Sequence, residues 1–268
     1  MFDLVAPEPH VFCRMLVRKK ELGGMNRLHY RAASLVVAGT LIDLFTLASK
    51  RQWHYAQMPS TPEELDRIAA LTLAHYNERA EDFWEGTRDH DVSQNIAALL
   101  RHTENESPLT ILDLGCGPGR DLKTFTDLGH TAIGLDGSPQ FAAMARTYSG
   151  CEVWEQNLLA LDLPASRFDG VFANAVLFHV PTEELSRVLR ALHTTMKPRG
   201  VMFSSNPRGE GQEGWNGGRF GAYHDLETWR RHMTVAGFAE LEHYYRPSGL
   251  PRDQQSWLAS VWRKQLEA

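Results

Sequence analysis

Ile111-Leu112-Asp113-Leu114-Gly115-Cys116-Gly117-Pro118-Gly119-Arg120 is the stretch around which this 268-residue chain is organised. Three apolar residues about one acid suit a short strand covered on both faces. Gly115, Gly117 and Gly119 let the backbone turn sharply and let a ligand lie against it with no Cβ in the way. The helix expected next points free N–H groups at whatever rests on the turn. Strand, glycine turn and helix in that order are how doubly wound α/β proteins hold nucleotides at the carboxyl ends of their strands.

Downstream the alternation is regular. A helix runs from about Asp121 to Leu128 and stops at Gly129, and a second strand, 131–135, ends at Asp136. Ser138-Pro139 opens a helix. Strands follow at 151–156 and 168–175. Thr182 is the expected cap of a helix to about Met196, and Lys197-Pro198-Arg199-Gly200 turns into a strand at 201–205. A glycine-rich loop, 206–223, leads to a helix that stops at Gly237. Two last strands, 240–245 and 257–263, have no helix pattern between them. The expectation is an α/β fold: a doubly wound, mostly parallel, seven-stranded, Rossmann-like sheet with helices on both faces and an antiparallel edge strand.

Upstream, Thr61-Pro62-Glu63-Glu64 reads as a capping box with proline at the first helical position. Leu65, Ile68, Ala69, Thr72 and Tyr76 continue at helical spacing. After a break at residues 86–90, Asp91 is the expected cap of another helix, with Gln94 reaching back. Residues 1–57 show no α/β alternation. Their apolar run Ala32–Ala48 follows several basic residues and is similar to a targeting segment, but it is short for a membrane span and contains Asp43. Three readings stand: a targeting segment, a stretch preceding a start at Met58, or an accessory helix. The expected division is an extension at 1–57 and one domain at 58–268.

A net charge of −5 gives no reason to expect nucleic acid or an anionic membrane as partner. Three cysteines without zinc-type spacing fit a reducing cytoplasm and give no metal site. The Asp89-His90-Asp91 triplet has no recognisable ligand spacing.

The dinucleotide fingerprint G-x-G-x-x-G/A needs a small last residue for close helix–strand packing. Arg120 stands there, which argues against a dehydrogenase. Asp136, at the end of the second strand, is placed to accept from ribose hydroxyls. The pattern Asp113-x-Gly115-x-Gly117-x-Gly119 with Asp136 closely resembles the class I S-adenosylmethionine-dependent methyltransferases, in their small-molecule branch. The resemblance continues through Phe168-Asp169-Gly170-Val171-Phe172-Ala173-Asn174-Ala175, Leu177-Phe178-His179-Val180 and Lys197-Pro198-Arg199-Gly200. It implies S-adenosyl-L-methionine as cofactor, with a cofactor half at about 76–175. Gly115, Cys116, Gly117 and Gly119 would wrap the methionine portion, with Asp113 facing the amino group. Asp136 would hold the ribose. Asn157, where the family usually has Asp, and Leu158 would meet the adenine. Asn174 would lie beside the methionine end, and Tyr76 and Thr87 would close over the cofactor.

A sulfonium methyl needs an acceptor atom placed in line and water excluded. A base is required only if the acceptor must lose a proton. His179 and His224 are the candidates, against plain readings as a packing histidine and a solvated turn residue. Loop 206–223 is read either as a substrate lid or as a surface loop. As a lid it offers Trp215, Phe220 and Tyr223 as an aromatic wall, and Arg208 and Arg219 for an anionic group. The expected activity is methyl transfer by in-line displacement to a small soluble acceptor. The alternatives are a methyltransferase acting on protein or RNA, and a non-catalytic cofactor-binding protein.

Overall fold

The computed structural model describes residues 60–104 and 108–266. The expectations placed on residues 1–57 lie outside them. A seven-stranded sheet is flanked by helices. In chain order the helices are α1 (Pro62–Glu78), α2 (Ala80–Thr87), α3 (Ser93–Leu100), α4 (Arg120–Asp127), α5 (Pro139–Ser149), α6 (Thr182–Thr195) and α7 (Leu226–Val235). The strands are β1 (Thr110–Leu114), β2 (Thr131–Asp136), β3 (Glu152–Glu155), β4 (Phe168–Asn174), β5 (Met196–Pro207), β6 (Glu213–Asn216), β7 (Arg219–Ala222), β8 (Phe238–Arg246) and β9 (Trp257–Lys264).

The large sheet has the order β3-β2-β1-β4-β5-β9-β8. The first five strands are mutually parallel. The antiparallel strand is β9, one place in from the edge, inserted between β5 and β8. The chain order reverses across β1, with β2 on one side and β4 on the other. That reversal opens a crevice at the carboxyl end of β1, directly beneath the glycine turn.

Alternate residues of the central strands feed two cores. On one face Leu112, Leu114, Val171 and Met202 pack under α6 and α7. On the other Ile111, Phe172, Val201 and Phe203 pack under α3, α4 and α5. Strands buried on both faces account for the nearly continuous apolar runs of β1 and β4.

Local signals set most element starts. Thr61 and Glu64 form the reciprocal capping box of α1, Ser138 Oγ accepts from Phe141 N–H, and Asp225 accepts from Thr228 N–H. Two expected caps are corrected. α3 begins at Ser93 after Val92, and Asp91 only accepts a local bond from Ser93 N–H at 2.9 Å. Thr182 is already the first residue of α6, and its hydroxyl donates to Glu213 at 2.6 Å. The expected turn 197–200 is a bulge within β5, where the β4–β5 register shifts between Phe168 and Gly170.

The region 206–223 is not an open loop. After β5 it folds into a two-stranded hairpin in which Trp215 faces Phe220 and Asn216 faces Arg219. Gly217 and Gly218 make its turn, with φ of 59° and 92°. Positive φ at both central residues is what a tight two-residue hairpin of the type I′ class requires.

Candidate functional site

The glycine turn has positive φ at Gly115, Gly117 and Gly119, but the three serve different ends. A Cβ on Gly115 would lie 2.2 Å from Val176, and one on Gly119 would lie 2.8 Å from the Ala145 backbone of α5. Both are glycines for packing. A Cβ on Gly117 would meet only the Phe83 ring, at 3.8 Å. Gly117, itself buried, is therefore the glycine of the turn with room beside its backbone, next to the Phe83 ring of α2.

Asp136 braces this turn. One carboxylate oxygen accepts from Gly117 N–H and the other from Ser138 N–H, both at 2.9 Å. Burial nevertheless raises its pKa to about 6. Asp113 lies beneath the turn, 2% exposed, and its Oδ2 has no hydrogen-bond partner. Burial and then the neighbouring Asp121 charge hold Asp113 well above the usual carboxylate range, against the nearby Arg120. Cys116 turns inward to the core beneath α4 and α5, so its side chain is not presented to the crevice.

A polar chain crosses behind the turn. Arg120 donates to both oxygens of Asp121, at 2.7 and 3.0 Å, and to the Thr87 carbonyl at 2.7 Å. Asn174 Nδ2 donates to Asp121 at 3.4 Å, and Asn95 donates to Asn174 Oδ1 at 3.0 Å. Asn95 Oδ1 in turn accepts from Tyr244 and Arg246, each at 2.9 Å. Arg246 also donates to the Asp91 carbonyl at 3.1 Å. The segment 87–91 is thus tied down at both ends by arginines. Thr87 contributes its carbonyl, because its hydroxyl is bonded back to Phe83 O at 2.6 Å.

The N-terminal helices cover the crevice. Leu73 packs over Gly137 at the end of β2. Asn77 accepts from Ser138 Oγ and Gln140 N–H, at 3.1 and 3.0 Å. Tyr76, Phe83 and Phe141 form an aromatic cluster with centroids 5.1 to 5.9 Å apart. α1 is also joined to the hairpin, since Phe220 N–H donates to Thr72 Oγ1 at 3.1 Å.

His179 sits at that junction. Its Nδ1 is 2.6 Å from the Phe220 carbonyl oxygen and its Nε2 is 2.7 Å from the Tyr76 hydroxyl. A carbonyl can only accept, so Nδ1 carries the proton and Nε2 accepts from Tyr76. Burial lowers His179 to about 4 and raises Tyr76 to about 12, so both are neutral at pH 7. With both nitrogens engaged, His179 latches α1 to the hairpin and has no lone pair to offer as a base. His224 differs: it is 7% exposed, and neither ring nitrogen has a partner.

The remaining expected residues separate. Arg219 lies with its guanidinium carbon 5.6 Å from the Tyr76 centroid and, among the described residues, pairs with no carboxylate. Tyr223 stacks on Phe178 at 6.2 Å. Trp215 is 44% exposed, edge-on to Phe220. Arg208 is committed elsewhere: it donates to the carbonyls of Arg252 and Gln255 at 2.8 and 2.6 Å, in the β8–β9 connection. Asn157 spends its side-chain oxygen on Leu159 N–H at 2.9 Å, and Leu158 packs against the core. Asn77, Phe83, Asn95, Arg120 and Arg246 belong to the site although sequence reasoning gave them no part in it. Among the described residues no His, Cys, Asp or Glu group is arranged to hold a metal ion, and no helix is long and apolar enough to cross a membrane.

Residues 111–200 match a family model described as a methyltransferase domain. The ubiquinone biosynthesis O-methyltransferase of Thiobacillus denitrificans is 29% identical over 151 residues, covering 53% of this chain and 64% of that protein. The trans-aconitate 2-methyltransferase of Azoarcus sp. is 31% identical over 112 residues, covering 41% and 44%. The chain thus spans less than two thirds of the length of these relatives. Among solved structures, the 1,6-didemethyltoxoflavin-N1-methyltransferase of Burkholderia thailandensis, with bound S-adenosylhomocysteine, superposes with a TM-score of 0.63 at 22% identity. That superposition covers 77% of this chain and 92% of the other, and it establishes the shared fold.

Proposed function

We propose that this chain, which carries a class I S-adenosylmethionine-dependent methyltransferase domain, transfers the methyl group of S-adenosyl-L-methionine to a small, anionic acceptor. The observation that carries the reading is Asp113, a buried carboxylate with an orphaned oxygen at the foot of a glycine turn in which only Gly117 would admit a Cβ without a clash. Leaving such a group unpaired is costly unless a ligand completes it. Burial raises both Asp113 and Asp136, and the Asp121 charge raises Asp113 further. A ligand carrying a cationic amino group and a sulfonium relieves both, so the residues present fit this cofactor.

Once bound, the cofactor supplies a methyl group already activated toward a nucleophile. The protein's share is placement and exclusion of water. Asp113 would take the amino group, and the lone pairs of Asp136 not used by the turn would accept from the ribose hydroxyls. Tyr76 and Phe83 cover the turn, and the Tyr76–His179–Phe220 latch holds that cover against the hairpin. Arg219, next to Tyr76 and unpaired with any described carboxylate, supports the anionic acceptor, since a guanidinium fork suits a carboxylate. The net charge of −5 favours a small molecule over nucleic acid.

A panel of small carboxylic acids and their neutral amides, assayed for release of S-adenosylhomocysteine, tests this reading. The acids are expected to be turned over in preference to the amides. Arg219→Gln should remove that preference by raising KM for the acids about tenfold, the loss of one charge-assisted hydrogen bond. Equal use of acids and amides by the wild type would refute the anionic acceptor.

A further inference from the structure

Four buried polar atoms near the end of β5 have no hydrogen-bond partner: Asn206 Oδ1, His224 Nδ1, His224 Nε2 and Trp229 Nε1. Their residues are 8%, 7% and 2% exposed. They come together from three elements. Asn206 stands opposite Leu258 in the β5–β9 ladder, and residues opposite one another on neighbouring strands share a face. Leu258 packs in the same core cluster as Trp229 of α7. His224, between β7 and α7, pairs its backbone with Arg208 and accepts from Gly209 N–H at 3.2 Å. Its ring stacks on Trp229 with centroids 6.3 Å apart. Asn206 and Trp229 therefore lie on the same face of the sheet, with His224 stacked on Trp229 and bridged to Arg208, two residues after Asn206.

Each unpaired buried group costs roughly 1–3 kcal/mol, and apolar side chains of the same shape would avoid that cost. The inventory of free atoms defines what would complete them. Trp229 Nε1 only donates and Asn206 Oδ1 only accepts. Burial and then the nearby His232 hold His224 below its ordinary value, so the ring is neutral and offers one donor and one acceptor. A carboxylate would leave the Asn206 oxygen unpaired, and an ammonium would leave the Trp229 N–H unpaired. A hydroxyl both donates and accepts. The surroundings these residues share with the core are apolar and aromatic: Leu258, opposite Asn206, and the Trp229 ring both belong to the same core cluster.

We propose that Asn206, His224 and Trp229 form a subsite for a hydroxyl group carried on a flat, apolar body. The hydroxyl belongs to the methyl acceptor, an assignment that rests on the methyl-transfer reading above.

Phenol and its hydroxyl-free analogue toluene, titrated into the full chain, test this by nuclear magnetic resonance. The Trp229 indole N–H is assigned through Trp229→Phe, and the His224 ring nitrogens through His224→Gln. Phenol is expected to shift these signals saturably, and toluene to leave them in place. His224→Phe and, independently, Asn206→Leu should each weaken phenol binding at least tenfold. S-adenosylhomocysteine affinity, measured on the same samples, should stay as in the wild type. No saturable shift with phenol, an equal shift with toluene, or wild-type phenol affinity in both variants would overturn the subsite. Phenol binding without any binding of S-adenosylhomocysteine would refute the cofactor reading and leave the hydroxyl subsite standing. The reverse pattern would refute the subsite alone.

Discussion

The glycine turn and the hairpin β6–β7, which is tied to α1 and His179, are built on opposite plans. The turn is one continuous stretch in which backbone does the work, with three glycines at positive φ and one acid beneath. The hairpin side is assembled from distant side chains: Tyr76 reaches His179, 103 residues away, which reaches the Phe220 carbonyl. The two histidines show the same contrast on a smaller scale. His179 has both nitrogens bonded, whereas His224 has neither. A fully bonded polar group holds structure together, while a buried unbonded one stands ready for a ligand.

The largest expected effect separates the glycines within the turn. Gly119→Ala places a Cβ 2.8 Å from the Ala145 backbone at φ 96°. It should cost roughly 3 kcal/mol or more in urea unfolding, the sum of overpacking and left-handed strain. Gly117→Ala has room and should cost only about 1 kcal/mol, yet weaken S-adenosylhomocysteine binding at least tenfold. Equal stability losses would erase the distinction between packing and ligand-facing glycines. Next in size, Tyr76→Phe strands His179 Nε2 and should cost about 1–3 kcal/mol, whereas His224→Phe, which removes orphaned groups, should be neutral or stabilising. The smallest effect is in pH. His179 is lowered from 6.5 to about 4 in the folded chain. A group lowered by folding that must stay neutral stabilises above its unfolded value and loses that contribution as it protonates. The stability of wild type relative to His179→Gln should therefore fall on acidification from pH 6.5 to 4 and be constant above 7.

The same contrast explains what could be read beforehand. All seven strands of the large sheet, the glycine turn with Asp113, and Asp136 were legible because each rests on a local pattern of alternation, turn residues and strand ends. The latch, the Arg120–Thr87 tie and the Asn95–Asn174 bond were not, because they join residues separated by 33 to 103 positions. Arg120 counted only as evidence against a dehydrogenase, although its size is what lets it reach the Thr87 carbonyl. The hairpin was missed although its signal is local. Asn216-Gly217-Gly218-Arg219 is a two-residue turn between short strands, hidden by the density of glycines on either side. Asp91 and Thr182 look like caps by residue type, and neither is, because each helix starts one residue away from the expected place.

The central claim is that the orphaned carboxylate of Asp113 is held for the cationic end of the cofactor. Calorimetric titration of S-adenosylmethionine and S-adenosylhomocysteine into wild type and Asp113→Asn addresses it most directly. The account predicts that the wild type binds both. Asp113→Asn should be folded and at least as stable, and should bind both ten- to a hundredfold more weakly, the roughly 1.5–3 kcal/mol of a hydrogen bond to a charged group. Absence of binding in the wild type, or equal affinity in the variant, would contradict it.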